Sequence, residues 1–186
     1  DQDWPAEAGR SVRYFATTGG VMPRAVLGRL RQAMPAAAPF LMYGLTEAFR
    51  STYLPPSEVD RRPDSIGKAI PNAEILVLRA DGTPCAAGEE GELVHRGALV
   101  SLGYWNAPEL TAKRFRPIPG GITQGGQPEL AVWSGDTVVS DEDGYLYFRG
   151  RRDEMIKSSG YRISPTEVED LVLDSGLVSE VVAIGV

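Results

Sequence analysis

FLMYGLTE, residues 40–47, is an apolar run that passes directly into polar residues. Residues 40–42 predict a short buried strand, and Thr46 and Glu47 follow at its end. Polar residues beyond a strand mark the place where α/β sheets hold ligands, outside the carboxyl ends of the strands. The stretch therefore predicts a strand of an α/β sheet together with a candidate ligand site.

A strand, a turn and a helix are predicted upstream of this stretch. Residues 12–15 form an extended run, which residues 17–20 interrupt. Pro23 suits the first helical turn because its missing N–H would be unpaired there in any case. Apolar residues then recur at helical spacing, which predicts one buried helix face; they are Val26, Leu27, Leu30 and Met34. The order strand, helix, strand is typical of an α/β layer.

Residues 65–150 have a different sequence pattern, in which short apolar runs are separated by turn residues. The runs at 75–78, 93–95, 138–139 and 145–148 are interrupted by Asp-Gly pairs at 81–82 and 143–144, which favour antiparallel hairpins. Residues 117–128 contain so many glycines and prolines that we predict a loop there. This part of the chain is therefore expected to be an antiparallel β region.

A third segment begins near Arg152. Ser164 and Glu167 form the pattern of a capping box at the start of a helix, and residues 181–186 predict a further strand. A chain that stops within such a strand is expected to be part of a longer one. The division that follows is 1–64, 65–151 and 152–186.

Bulk composition excludes several classes of protein. The 186 residues carry a net charge of −6 and no basic run, which argues against non-specific nucleic-acid binding. One cysteine, Cys85, and one histidine, His95, allow neither an internal disulfide nor a Cys/His zinc site. No stretch approaches the roughly 20 apolar residues that span a bilayer, and no signal peptide is evident. These features predict a cytoplasmic protein.

Four segments carry candidate chemistry, and each also has a plainer interpretation. Gly19 and Gly20 allow a ligand to approach closely, or they only form a turn. Thr46 and Glu47 could hold a phosphate oxygen and Mg²⁺, or they lie in a solvated turn. Asp136 could accept hydrogen bonds from ribose hydroxyls, or it is a surface aspartate.

The fourth segment, residues 150–163, is dense in charge. It is either a solvated hairpin or a mobile loop that faces phosphate. Taken one at a time, these four segments leave both interpretations open.

Their combination resembles the adenylate-forming superfamily, which comprises acyl-CoA synthetases, the adenylation domains of peptide synthetases, and luciferases. The resemblance runs from about Gly19 to the end of the chain. The motifs that carry it, in order, are YGLTE at 43–47, GELVHRG at 91–97, GYWNAPELT at 103–111, SGD at 134–136 and GRRDEMIKSSGYRI at 150–163. The stretches at 43–56 and 64–75 are most similar to acyl-CoA ligases associated with exosortase systems.

The resemblance implies a fold and three segments. Residues 1–64 would end an α/β subdomain of the large N-terminal domain, and 65–151 would form its antiparallel β subdomain. Residues 152–186 would begin the small α+β C-terminal domain. The family's phosphate loop and its catalytic lysine would lie before residue 1 and after residue 186, so the isolated chain is expected to be inactive.

The resemblance also implies roles for individual residues. Gly19 and Gly20 would line the adenine and acyl pocket, and the Tyr43 ring would lie against adenine. Thr46 would bind phosphate oxygen, while Glu47 would hold magnesium. His95, Tyr104 and Trp105 are interpreted as packing residues.

The remaining implied roles fall on the second half of the chain. Asp136 would grip the ribose, and Arg151 would reach the ribose or phosphate. Asp153 would be the hinge of the C-terminal domain, and Gly160 would lie beside the pantetheine channel.

The implied activity is that of an AMP-forming acyl-CoA ligase, which uses ATP, Mg²⁺ and CoA to activate a carboxylic acid. The same motifs occur in ligases that load the phosphopantetheine of an acyl carrier protein, so both acceptors stay open. A non-catalytic nucleotide-binding module is the alternative from another class.

Overall fold

A parallel pair of strands joined by a helix opens the fold. The computed structural model describes residues 7, 9–17, 19–20, 22–122, 125–152, 156–158 and 161–185. The opening elements are β1 (Tyr14–Thr17), α1 (Arg24–Ala33) and β2 (Ala38–Leu45). β1 pairs in parallel with β2, with Tyr14 opposite Ala38. The predicted strand, helix and strand are therefore confirmed, and so is the α/β class.

The helix α1 is held on the sheet by its apolar face. Leu27 is buried and packs in one cluster with Leu41 of β2 and with Leu54. Met34, at the end of the same face, is also buried. Pro23 occupies the N-cap position, one residue before the helix begins. The predicted periodicity thus identified the face that fixes β2 in place.

β2 turns back into a strand that the sequence analysis did not predict. β3 (Ala48–Leu54) is antiparallel to β2, and Thr46 and Glu47 form the turn between them. The register shifts between Tyr43 and Leu45, so the ladder is irregular beside the turn. A Cβ on Gly44 would overlap the backbone nitrogen of Arg50, so only glycine fits there.

The rest of the sheet is antiparallel, as predicted. A 3₁₀ turn (Pro56–Glu58) leads to β4 (Ser65–Ala69), β5 (Ala73–Leu78) and β6 (Glu90–Gly97). After α2 (Pro108–Arg114) come β7 (Phe115–Ile122), β8 (Pro128–Ser140) and β9 (Leu146–Arg151). The order across the sheet is β1-β2-β3-β4-β9-β8-β6-β5, and β7 pairs with β8. β3, β4 and β9 lie between β2 and β8 in this order, so the sheet must curl for side chains of β2 and β8 to meet.

The prediction of a loop at 117–128 is wrong for its first half. β7 reaches Ile122, and buried Phe115 and Ile118 fix it against the sheet. Prolines and glycines are tolerated because β7 pairs with β8 at a shifted register between Pro117 and Ile122. Burial of these two apolar side chains outweighs the preference of the prolines and glycines for irregular structure.

The last part of the chain contains a small hairpin and a helix. β10 (Ile156–Ser158) and β11 (Tyr161–Ile163) pair antiparallel, and α3 (Pro165–Asp174) follows. The Ser164 hydroxyl accepts a hydrogen bond from the Glu167 amide, which confirms the predicted cap. The strand predicted at 181–186 is not observed, since residues 181–185 form no regular element. Among the described residues, no helix is long and apolar enough to cross a membrane.

Candidate nucleotide site

One cavity of about 470 Å³ collects residues from distant parts of the chain. Five of its lining residues were singled out from the sequence; they are Gly19, Gly20, Tyr43, Asp136 and Arg151. Met42, Ile66 and Phe148 supply apolar wall, and α3 closes one side. An apolar cavity of a few hundred Å³ with a few convergent polar groups is the usual form of a small-molecule site.

Asp136 is the polar centre of this cavity. Its side chain is only 8% exposed, and it accepts a short hydrogen bond from the Tyr43 hydroxyl. An Arg151 guanidinium nitrogen lies 3.4 Å from the other carboxylate oxygen. Asp136 and Arg151 are direct partners in the β8–β9 ladder, which places both side chains together. The surface interpretation of Asp136 is therefore wrong, because the sheet buries it.

Tyr43 lies between Asp136 and a buried histidine. Its ring stacks on His95 with centroids 6.0 Å apart and an interplanar angle of 15°. Burial, and then the Asp136 carboxylate, raise the pKa of Tyr43 well above its usual range. Burial also lowers the pKa of His95 to about 4. The imidazole is thus neutral near pH 7, and its two nitrogens have no hydrogen-bond partner among the described residues.

Asp136 stands on a bulge in β8. Glu92 pairs with Thr137 and Val94 pairs with Trp133, so residues 134–136 all lie opposite residue 93. Gly135 has φ +76°, the left-handed region that glycine adopts without strain. A bulge re-aims side chains at the cost of ladder hydrogen bonds. Here it turns the Asp136 carboxylate towards Tyr43.

Glu47 is buried beside this bulge. The Tyr104 hydroxyl donates a short hydrogen bond to Glu47 Oε1, and Arg114 Nε lies 3.7 Å from the same oxygen. Arg114 Nη1 also donates to the Ser134 carbonyl at 2.7 Å. Arg114 therefore connects the turn after β2 to the bulge that carries Asp136.

The surroundings of Glu47 bear on the predicted metal. The described residues contain no group of three or more His, Cys, Asp or Glu side chains that could hold an ion. Mg²⁺ usually takes only one or two protein carboxylates and completes its shell with water and substrate phosphates. One buried, oriented carboxylate fits a magnesium ion shared with a nucleotide, and does not fit a metal held by the protein alone.

Of the predicted site residues that the structure describes, Thr46 and Glu47 do not line the cavity. Thr46 is exposed in the β2–β3 turn, next to Glu47. Asp153, the predicted hinge, and Gly160, predicted beside the pantetheine channel, lie outside the described residues. Their roles stay predictions.

The three residues interpreted as packing differ in their surroundings, and the Tyr104 ring packs edge-to-face on buried Phe115 with centroids 5.9 Å apart. Trp105 is 98% exposed, so that interpretation is wrong for it. Tyr104 contacts Glu47, and burial together with that hydrogen bond raises its pKa. His95 is fully buried, as expected of a packing residue. Arg114 was missed, because nothing in its local sequence signals a contact with Glu47.

α3 brings negative charge to the cavity. Glu169 and Asp170 line it together with Thr166. Burial, followed by repulsion from Asp174 and other carboxylates, raises the pKa of Asp170. The cavity therefore has a cationic side at Arg151 and an acidic side on α3.

Comparison with known proteins identifies the family. A family model described as AMP-binding enzyme matches residues 2–105. The long-chain-fatty-acid–CoA ligase of Salmonella typhimurium is 37% identical over 144 residues, which is 77% of this chain and 24% of that protein. The 2-succinylbenzoate–CoA ligase of Geobacillus kaustophilus is 36% identical over 176 residues, which is 94% of this chain and 33% of that protein.

A solved structure agrees. O-succinylbenzoate coenzyme A synthetase from Bacillus subtilis, in complex with ATP and magnesium ion, superposes with a TM-score of 0.78 and 29% identity. The alignment covers 96% of this chain and 35% of that chain. Because the family match spans more than half of its residues, the chain belongs to the AMP-binding enzyme family. It spans about a quarter to a third of the length of these relatives.

Proposed function

We propose that this chain forms part of the nucleotide site of an AMP-forming acid–thiol ligase. A carboxylate oxygen of the substrate attacks the α-phosphorus of ATP, the bond to pyrophosphate breaks, and an acyl-adenylate forms. A thiol then attacks the acyl carbon, loses its proton, and displaces AMP to give a thioester. Named ligases among the relatives support this reaction class.

The observation that carries the proposal is the convergence in one cavity. The residues lining it come from the loop after β1, from β2, from β8 and from the end of β9. The family resemblance assigns nucleotide contacts to five of them, and four separate parts of the chain bring these five residues to one cavity. A surface charge cluster or a chance turn would leave such residues dispersed.

Asp136 would bind the ribose hydroxyls, with Arg151 beside it. In the structure the Asp136 carboxylate is bound to Tyr43 and Arg151, so a ribose would share or replace these contacts. This arrangement keeps the buried carboxylate hydrogen-bonded before the nucleotide arrives. The Tyr43 ring, held from below by His95, would provide the surface for adenine. Gly19 and Gly20 would allow the nucleotide and the acyl group to approach the backbone closely.

Glu47 would share a magnesium ion with the nucleotide phosphates, and Thr46 would donate to a phosphate oxygen. The ion, when bound, neutralises phosphate charge during transfer. Tyr104 and Arg114 would keep the Glu47 carboxylate in one orientation. Burial of Glu47 at 8% exposure supports a role beyond solvation of a turn.

The position of α3 is consistent with a hinge at Asp153. Glu169 and Asp170 line the same cavity that would take a polyanion. Since carboxylates repel phosphates, we infer that α3 withdraws when ATP binds and that the backbone change is absorbed near Asp153. Gly160 would then face the pantetheine arm in the thioester-forming state.

CoA is the acceptor that we propose, since the relatives named above are CoA ligases. An acyl carrier protein bearing phosphopantetheine is the alternative acceptor. A cytoplasmic location completes the proposal, because ATP and CoA are available there.

Two assays on the full-length gene product that contains residues 1–186 test this function. We expect exchange of labelled pyrophosphate into ATP that requires a carboxylic acid, followed by CoA-dependent release of AMP. Nucleotide binding without exchange, across a panel of carboxylic acids, would instead identify a non-catalytic binding module. AMP release with a carrier protein but not with CoA would change the acceptor and leave the first step in place.

A further inference from the structure

Glu92 lies beneath the bulge that carries Asp136, and it was assigned no role. It belongs to β6, its side chain is 9% exposed, and it pairs with Thr137 in the ladder. Glu92 Oε1 accepts a hydrogen bond of 3.1 Å from the Gly135 amide, and Arg116 Nη2 lies 3.5 Å from the same oxygen. A buried carboxylate next to a site requires an explanation, because an unpaired one would be costly.

The bulge leaves backbone amides that the ladder does not pair. Residues 134–136 lie opposite one residue of β6, so the regular ladder cannot pair all of their amides. Side chains accept hydrogen bonds from these amides instead. Glu92 accepts from the Gly135 amide, and Ser134 Oγ accepts from the Asp136 amide at 3.0 Å. Ser134 in turn donates to the Leu93 carbonyl at 2.7 Å.

The other oxygen of the Glu92 carboxylate binds Arg152. Arg152 Nη1 donates to Glu92 Oε2 at 3.1 Å. The Arg152 amide also donates to the Gly135 carbonyl at 2.8 Å. Arg152 is thus attached to the bulge by its backbone and, through Glu92, by its side chain. It directly follows Arg151 and precedes Asp153.

We propose that Glu92 is a positioning residue with two arms, one that fixes the Asp136 bulge through Gly135 and one that fixes Arg152 at the start of the C-terminal segment. This inference rests on the proposed function for its kinetic consequences. Its structural content, the Gly135 amide and the Arg152 guanidinium bound to one carboxylate that Arg116 also approaches, does not depend on that function. A single side chain therefore couples the geometry of the nucleotide site to the chain that leads into the hinge.

Three substitutions separate the arms. Glu92→Ala removes both, whereas Glu92→Gln retains an acceptor oxygen for Gly135 and places an amide N–H against Arg152. Arg152→Ala removes only the second arm. Glu74→Gln serves as the control, since Glu74 forms a comparable ion pair with Arg96 on the exposed side of the neighbouring β5–β6 pair.

The experiment uses the full-length gene product. Amide hydrogen exchange is measured in peptides covering residues 134–137, ATP affinity by calorimetry, and the two half-reactions separately. For Glu92→Ala we expect exchange about tenfold faster and ATP affinity about tenfold weaker, the loss of one charge-assisted hydrogen bond. For Glu92→Gln we expect the exchange rate and the ATP affinity to stay within about threefold of wild type. The ratio of the two half-reaction rates should change.

Arg152→Ala should reproduce that changed ratio, and Glu74→Gln should leave every quantity unchanged. Wild-type exchange at 134–137 and wild-type ATP affinity in Glu92→Ala would overturn the first arm. Different half-reaction ratios in Glu92→Gln and Arg152→Ala would overturn the second. A wild-type protein that neither binds ATP nor exchanges pyrophosphate would instead defeat the proposed function, while hydrogen exchange would still test the first arm.

Discussion

The phenolic hydroxyl of Tyr43 donates a hydrogen bond to Asp136, which lies 93 residues further along the chain. Tyr43 belongs to β2, which pairs in parallel with β1 and antiparallel with β3, whereas Asp136 belongs to β8, whose pairs are all antiparallel. The contact bridges the three strands that lie between β2 and β8, and the pairing of β4 with β9 joins the two parts of the sheet. The nucleotide site that we propose therefore depends on both halves of the sheet.

Asp136→Ala should weaken ATP binding in the full-length gene product. A hydrogen bond to a charged group contributes about 1.5 to 3 kcal/mol, so we expect a roughly ten- to hundredfold rise in Kd. Calorimetry with ATP measures the effect. Glu142→Ala, in the exposed turn after β8, removes the same charge and should have no effect. Unchanged affinity in Asp136→Ala would remove this residue from the site.

Glu47→Gln should retain the fold and lose adenylation. The amide keeps an acceptor for the Tyr104 hydroxyl but lacks the negative charge that Mg²⁺ requires from a carboxylate. Acid-dependent pyrophosphate exchange across a magnesium titration is the measurement. Tyr104→Phe keeps the charge and loses only the orienting hydroxyl, so we expect a smaller defect. Exchange at the wild-type rate in Glu47→Gln would exclude it as the metal ligand.

Asp153→Pro should damage the two half-reactions unequally. Proline locks φ near −65°, and a hinge residue must change its backbone angles between two states, so one state is trapped. If that state is the adenylating one, pyrophosphate exchange survives and thioester formation fails. The half-reactions are measured separately, the second as CoA-dependent release of AMP from preformed acyl-adenylate. Equal loss of both would show that the hinge lies elsewhere.

His95 should make stability depend on pH below neutrality. Burial lowers its pKa from 6.5 to about 4, so between these values the unfolded chain takes up a proton that the folded chain does not. The free energy of unfolding therefore falls as pH drops from about 6.5 to about 4, by at most about 3 kcal/mol. Urea unfolding at several pH values should show this dependence of the free energy of unfolding on pH, and His95→Phe should reduce its slope. An equal slope in both proteins would contradict the assignment.

The sequence predicted the elements whose signals are local. The stripe of α1, the β2 run and the Asp-Gly turns each depend on residues close in sequence, and all were identified. β3 and β7 were not, because their stability comes from pairing and burial across the sheet. Proline and glycine content argued against β7, yet buried Phe115 and Ile118 decided its conformation.

The site was predictable only in part, for a related reason. Motif resemblance selected Asp136 and Glu47, but their partners arise from the tertiary structure. Arg114 contacts Glu47 at a sequence separation of 67, and Glu92 binds the amide of Gly135, the neighbour of Asp136, at a separation of 43. Neither hydrophobic periodicity nor a local motif indicates which residues will meet across such sequence separations.

The separation of Tyr43 and Asp136 also has a consequence for synthesis of the protein on the ribosome. At about 5 to 20 residues per second, roughly 5 to 20 seconds pass between the addition of these two residues. During that interval β2 and its hairpin have no β8 or β9 to pack against. A nucleotide cannot help the early chain to fold, because its binding surface does not yet exist. We infer that pairing of β2 with β3 and packing of α1 on them stabilise this region before β8 exists, and that the proposed nucleotide would stabilise only the completed sheet.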